Sequence, residues 1–485
     1  MSVPHSIPAQ TPERDIALFR ATLSGDLLTP PDPAYAQARR VWNGMVDRYP
    51  ALIARCLSPE DVSAAVRFGR DHGLPIAVRG GGHNVAGLGT CDNGIVLDLS
   101  RMRDFALDAA AGTARVGPGH TWGSFDAAAA EAGLATTGGL ISSTGVAGFT
   151  LGGGIGWLMR RYGLACDNLV AAELITADGE RVYTDESQRP ELLWGLRGGG
   201  GNFGVVTSFT FRLHPVTTVF GGMALYPAER AREVLNAFAE LTATAPDGLT
   251  SLAAFITAPP APFVPEGLQG RPAIAIVACY AGDPADGEAT IASLRRIDPP
   301  AADLFGPIPY VALQSMLDAG AAAGLRNYWK SGYLRTLEPD FLDHLVERAV
   351  SAPSPLTQVH LHHMGGAVAR VPGDQTAFAH RDASFALNLV GTWDAPGADD
   401  ANISWVRETW EDLGTWTSGV YVNFLGAEGD DRVRAAYGDA TYARLARLKR
   451  QYDPENVFHL NQNVHPAPGG SSAKQAIRIV EPFRQ

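Results

Sequence analysis

The feature that most constrains this chain is the apolar run Leu74 to Val78, which passes into Arg79-Gly80-Gly81-Gly82-His83-Asn84 and on through Val85-Ala86-Gly87-Leu88-Gly89. A strand that ends in a glycine-dense turn lets backbone N–H groups approach a phosphate closely, and it holds one histidine beside whatever is bound. One such turn is weak evidence, because a strained loop often needs glycine for geometry alone. Two more follow. The second runs from Gly138-Gly139 through Ser142-Ser143-Thr144-Gly145 to Gly152-Gly153-Gly154-Ile155-Gly156, and the third is Arg197-Gly198-Gly199-Gly200-Gly201-Asn202-Phe203-Gly204. Crowded between residues 79 and 204, they imply one extended ligand laid across several loops.

The surrounding segments read as an α+β unit. Ser58 stands as N-cap with Pro59 at the first helical position and Glu60 and Asp61 in the first turn, Val62, Ala65, Val66 and Phe68 give an apolar side, and Gly73 ends the helix. Strands are expected at Gly94 to Leu99 and Thr113 to Val116, then a helix from about Ser124 to Ala132. Asp178-Gly179 between Ala172 to Ala177 and Glu180 to Thr184 reads as a two-residue hairpin turn. Although Gly152 to Gly156 imitates a dinucleotide fingerprint, no acidic residue at the next strand end is placed to hold a ribose, which argues against NAD.

Bulk properties exclude several classes. A formal net charge of -12 over 485 residues, with no dense basic run, argues against a nucleic-acid surface. Apolar stretches break off well short of the roughly 20 residues a membrane helix needs, and Met1 to Arg20 carries Pro4 and Pro8 without an apolar core, so neither membrane span nor secretory signal is expected. Cys56, Cys91, Cys166 and Cys279 lack paired spacing and read as reduced thiols, with no metal site, in a cytoplasmic protein.

The wording of these loops resembles the berberine-bridge-enzyme-like branch of the vanillyl-alcohol oxidase and p-cresol methylhydroxylase flavoproteins. The likeness rests on Val78 to His83, Gly152 to Gly156, Tyr162-Gly163-Leu164-Ala165-Cys166-Asp167-Asn168, Gly201-Asn202-Phe203-Gly204-Val205-Val206-Thr207 and Tyr452-Asp453-Pro454-Glu455-Asn456. It implies a two-part FAD-binding domain of the p-cresol methylhydroxylase type and a substrate domain whose antiparallel sheet is covered by helices. The expected limits are an N-terminal segment 1–47, FAD domain 48–218, substrate domain 219–438, a returning segment 439–465 and a tail 466–485. In the tail, Pro466 to Lys474 looks flexible and Ala476 to Val480 offers a short strand.

The resemblance further implies FAD joined to His83. The cofactor would lie along Arg79, Gly80, Gly81, Gly82, Asn84, Gly87, Ser143, Thr144, Gly145, Gly148, Gly153, Gly154, Gly204, Val205, Tyr421, Asn423, Asn461 and Asn463. Many relatives make a second bond from a cysteine at the position of Ile141; an alkyl side chain cannot, so a single link is expected, with Cys166 a packed thiol. Thr144 falls where relatives control oxygen access, and hydrogen bonding to the flavin is the other reading.

Many members use the second tyrosine of a late Tyr-x-Asn-Tyr motif as base, but here it reads Tyr421-Val422-Asn423-Phe424. Phe424 accepts no proton. The remaining catalytic candidates are Tyr421, Lys330 in Asn327-Tyr328-Trp329-Lys330, and the strand Gln358 to His363, whose period puts His360 and His362 on one face and His363 on the other. The expected activity is an FAD-dependent oxidase moving a hydride from a small organic alcohol or amine to flavin and then to O2, giving hydrogen peroxide. A flavin-dependent oxygenase and a flavin-carrying binding protein without turnover are the alternatives.

Overall fold

The computed structural model describes residues 11–295 and 299–469. The anticipated tail strand at Ala476 to Val480 lies outside them.

The chain first builds a small sheet from β1 (Asp26–Leu28), β2 (Leu52–Arg55), β3 (Ile76–Arg79) and β4 (Ile95–Asp98), in the order β1-β2-β4-β3. β4 runs parallel to both β2 and β3, while β1 is antiparallel to β2. The helix Pro59–Asp71 covers this sheet; it starts where the Asp61 N–H donates to Ser58 Oγ at 3.2 Å and stops at Gly73, whose φ of +61° suits glycine. Parallel β3 and β4 end side by side, so the Arg79–Asn84 loop leaves the sheet at one edge.

β5 (Phe105–Asp108), β6 (Thr113–Val116), β7 (Leu134–Ala135), β8 (Leu169–Ile175), β9 (Arg181–Asp185), β10 (Val205–Arg212) and β11 (His214–Pro215) follow. All but β7 and β11, which form a two-residue ribbon, join an antiparallel sheet in the order β5-β6-β10-β8-β9. Gly179 turns the β8–β9 hairpin at φ +74°. The helix expected from Ser124 begins two residues earlier, at Trp122, because the Thr121 N–H is taken by Ser124 Oγ at 3.1 Å. Trp122, Phe125, Phe203, Phe209 and Phe211 form the centre of this core, and Val420, Val422, Val433, Leu445 and Leu448 return to it from late in the chain.

The third sheet has eight strands: β12 (Thr218–Pro227), β13 (Leu249–Thr257), β14 (Pro272–Tyr280), β15 (Ala302–Asp303), β16 (Gly306–Pro309), β17 (Arg326–Leu334), β18 (Gln358–His363) and β19 (Phe385–Trp393). The order is β15-β12-β14-β13-β18-β19-β17, with β16 on β12, and every pairing is antiparallel. One face packs Tyr226, Phe255, Ile274, Leu361 and Leu387 beneath the helices Ala231–Ala243, Pro339–Val350 and Asp399–Leu413. Successive strand residues point oppositely, so the alternate set faces the glycine loops. No helix among the described residues is long and apolar enough to cross a membrane.

Candidate active site

Between those loops and the open face of the third sheet lies a cavity of about 930 Å³. On the loop side its wall includes Gly80, Gly81, Gly82, Gly145, Gly148, Gly201 and Gly204. Two of them explain the close approach of the loops: a Cβ on Gly81 would sit 2.5 Å from Gly145 N, and one on Gly145 equally close to Gly81 N. At Gly148 and Gly201 a Cβ would meet nothing within 4 Å. The wall is therefore left bare where an extended flat ligand needs room, a shape that suits FAD.

His83 stands on this wall. Its Nε2 is 3.0 Å from Ser143 Oγ, and its ring stacks on Trp42 with centroids 4.6 Å apart and planes 20° apart. Burial pushes the imidazole down to about 4, so it is neutral and nucleophilic near pH 7. Nδ1 has no protein partner among the described residues. Ile141 also lines the cavity, whereas Cys166 is wholly buried elsewhere with its thiol pushed up by desolvation.

The other anticipated cofactor residues divide. Thr144, Asn84, Val205, Asn423 and Asn461 line the cavity. Arg79 lines it too, but its guanidinium is committed to Asp98 at 2.9 Å, tying β3 to β4. Gly87 is not on the wall; at φ +70° it packs against Val46. Gly153 and Gly154 are also off it, bent at φ +121° and +96° to aim backbone toward Tyr421. Ser143 acts through His83, and Asn463 is not among the lining residues.

Tyr421 lines the cavity, yet its Oη accepts from Gly154 N at 2.7 Å, Ile155 N at 3.2 Å and Asn423 Nδ2 at 2.8 Å. Three donors converge on this oxygen while burial raises the phenol above its ordinary value, so the hydroxyl anchors the 154–155 turn, a geometry that favours positioning over the expected role as proton acceptor. Lys330 is corrected as well. Strand alternation places Asn327 and Trp329 on the wall and leaves Lys330 off it, its Nζ paired with the nearly buried carboxylate of Glu428.

Across the cavity, β18 presents Gln358, His360 and His362. His363 faces away, with Nδ1 3.2 Å from Ser251 Oγ. His360 Nε2 meets Gln358 Oε1 at 2.8 Å, while His362, 4% exposed, keeps Nε2 buried without a partner. His360 is pushed down to about 4 and His362 well below its usual value, both by desolvation, so both are neutral; the accessible part of His360 faces the cavity rather than bulk water. Phe424 lies over His362.

Several neighbours carry no clear signal in the sequence. Asn43 donates to Val85 O and Asn327 O, binding the histidine loop to β17. Asp318 accepts from Ser142 N at 2.7 Å and Ser142 Oγ at 2.5 Å, closing the 316–322 segment over the second glycine loop. Near the end of the described chain, the fully buried Lys449–Asp453 pair holds Phe458 through Lys449 Nζ and Asp453 Oδ2, and so fixes the loop carrying Leu460, Asn461 and Gln462 on the wall. No cluster of three His, Cys, Asp or Glu among the described residues has metal-binding geometry.

Comparison with known proteins agrees with this arrangement. A family model described as an FAD binding domain matches residues 50–185, and one described as berberine and berberine-like matches 420–465. (R)-6-hydroxynicotine oxidase of Paenarthrobacter nicotinovorans is 33% identical, covering 92% of this chain and 97% of its own. An FAD-linked oxidoreductase of Dictyostelium discoideum is 32% identical over 88% of this chain and 91% of its own. The crystal structure of 6-hydroxy-D-nicotine oxidase from Arthrobacter nicotinovorans superposes with a TM-score of 0.81 at 30% identity, covering 91% of this chain and 98% of that one.

Proposed function

This chain belongs to the berberine-bridge-like FAD-linked oxidoreductases, and from that premise we propose that it oxidises a small organic alcohol or amine with FAD attached singly to His83 and O2 as final acceptor, releasing hydrogen peroxide. The cofactor part would comprise 48–218 with 439–465, and the substrate part 219–438. The carrying observation is the pairing of walls: a neutral imidazole in a glycine cradle faces a second neutral imidazole, His362, whose Nε2 is buried without a partner.

FAD, when bound, supplies a two-electron acceptor for the hydrogen that leaves the donor carbon as hydride. The protein handles the other hydrogen, which leaves as a proton. His362 Nε2 is the acceptor for it, with His360 held beside it by Gln358 and Phe424 excluding water. His83 offers Nδ1 for the covalent bond, since Ser143 occupies Nε2 and Trp42 fixes the ring. Ile141 on the wall and Cys166 away from it support one link rather than two. Thr144, small and on the wall, supports access of O2 to the cofactor. Four free, buried cysteines support a reducing, cytoplasmic setting.

The test is acid precipitation of purified protein followed by spectroscopy, then anaerobic donor screening for bleaching. Flavin retained on the polypeptide and bleached by an alcohol or amine is the expected result. Complete release into the supernatant removes the covalent link, and label from isotopic O2 appearing in product rather than peroxide replaces the oxidase with an oxygenase.

A further inference from the structure

We infer that the donor is an uncharged, mainly apolar molecule with one neutral hydroxyl or amino group at its reacting end; this rests on reading the cavity as the donor site of a flavin-linked oxidoreductase. The open face of the third sheet is divided along its width. β12, β14 and β13 present Met223, Leu225, Val277, Leu252, Ala254 and Ile256, with Thr257 at the end of β13 the one polar side chain on that half. β18, β19 and β17 present Gln358, His360, His362, Asn388, Thr392 and Asn327.

Most of the polar half is already satisfied. His360 pairs with Gln358, and Thr392 Oγ1 donates to Asn327 Oδ1 at 2.9 Å. What stays buried and unpartnered is His362 Nε2 and Asn388 Oδ1. They are near neighbours, because Asn388 sits opposite His360, two residues along β18 from His362. Both act as acceptors when the imidazole carries its proton on Nδ1, so a hydrogen-bearing group meets them.

Charge is excluded on the third-sheet side of the wall, where no described side chain is formally charged and His360 and His362 are neutral; the cofactor's diphosphate would lie on the other side, among the backbone N–H groups of the glycine loops. An ammonium would find no carboxylate and a carboxylate no free cation, in a setting where an unpaired buried charge is heavily penalised. A sugar, with hydroxyls on most carbons, would press several against the apolar half unsatisfied. At the mouth, Phe263 and Leu356 are 41% and 39% exposed beside Pro259, Pro260 and Pro355. This apolar rim extends the body of the donor outward.

The test is anaerobic calorimetry of the holoenzyme with 6-phenylhexan-1-ol, the isosteric 6-phenylhexylammonium and 6-phenylhexanoate ions, and cellobiose. The alcohol is expected to bind at least about tenfold more tightly than either ion, with cellobiose weaker still. Leu356→Glu, a surface change, is expected to weaken the alcohol by about threefold or more. An ion or cellobiose binding as tightly as the alcohol overturns the inference, and so does unaltered alcohol binding in Leu356→Glu. Calorimetry reads binding whether or not flavin is reduced. Protein that prefers the alcohol but is bleached by no donor therefore counts against the proposed reaction alone, whereas protein bleached by an ammonium donor that it binds best counts against this inference alone.

Discussion

The ring of Phe424 lies 5.5 Å from that of His362, tilted by 35°. The same phenylalanine meets Tyr421 edge-on at 4.7 Å and Trp329 at 5.9 Å. It thus links the imidazole to two further aromatic rings from a position where a phenol would have competed for the proton. Substituting His362 by Ala is expected to slow flavin reduction by roughly 10²–10⁴-fold without releasing FAD, the usual cost of losing a general base. Stopped-flow reduction at the wild-type rate would move the proton acceptor elsewhere.

Tyr421→Phe removes the oxygen that accepts from Gly154 N, Ile155 N and Asn423 Nδ2. Leaving a buried donor unsatisfied costs about 1–3 kcal/mol. A fall in unfolding free energy of that order is expected in denaturant titration, together with at least roughly tenfold slower flavin reduction through misplacement of Asn423 and the 149–155 turn. Unchanged stability would show that the three contacts are not formed in solution.

His83→Ala is expected to leave no flavin on the acid-precipitated polypeptide, and Cys166→Ala to leave attachment as it was. Ser143→Ala frees His83 Nε2, and slower, incomplete attachment should follow. Peptide mass spectrometry reads all three, and a flavin-bearing peptide containing Cys166 would overturn the assignment.

Acid should weaken the fold from mildly acidic pH downward. Burial lowers His83, His214 and His360 to about 4 and His363 to about 3, from an ordinary value near 6.5. Below about 6.5 the unfolded chain binds protons that the folded chain refuses, so stability is level above that pH and declines as pH falls from about 6.5 toward 4. Urea midpoints measured across this range test the slope. His363→Gln should flatten it, and a profile unchanged between pH 7 and 4 contradicts it.

Local chemistry made much of this fold legible. Ser58 and Pro59 mark a helix start, Asp178-Gly179 a hairpin, and the alternation of Gln358 to His363 decides which histidines share a face, because each depends only on nearby residues. The same alternation applied to Asn327 to Lys330 separates Trp329 from Lys330, yet the destination of Lys330 depends on Glu428, almost a hundred positions away. Tyr421 illustrates the other limit: its motif locates it at the site, but the donors that occupy its oxygen come from a glycine turn far upstream. Trp42 against His83 and Asp318 against Ser142 arise from folding units that meet only when the chain is complete, and nothing in either neighbourhood announces the partner.

The loop at Phe458 to Gln462, fixed by Lys449 and Asp453, has a consequence for biosynthesis. It packs against the same small sheet that carries the Arg79–Asn84 loop and lines the same cavity, so a ribosome that has made the histidine loop must still translate some three-quarters of the polypeptide before that wall is complete. A nascent chain arrested ahead of Phe458 holds His83 in an unfinished cradle. On the proposed reading, cofactor capture therefore belongs to the time after elongation has passed Gln462, when an apoprotein already folded receives free FAD.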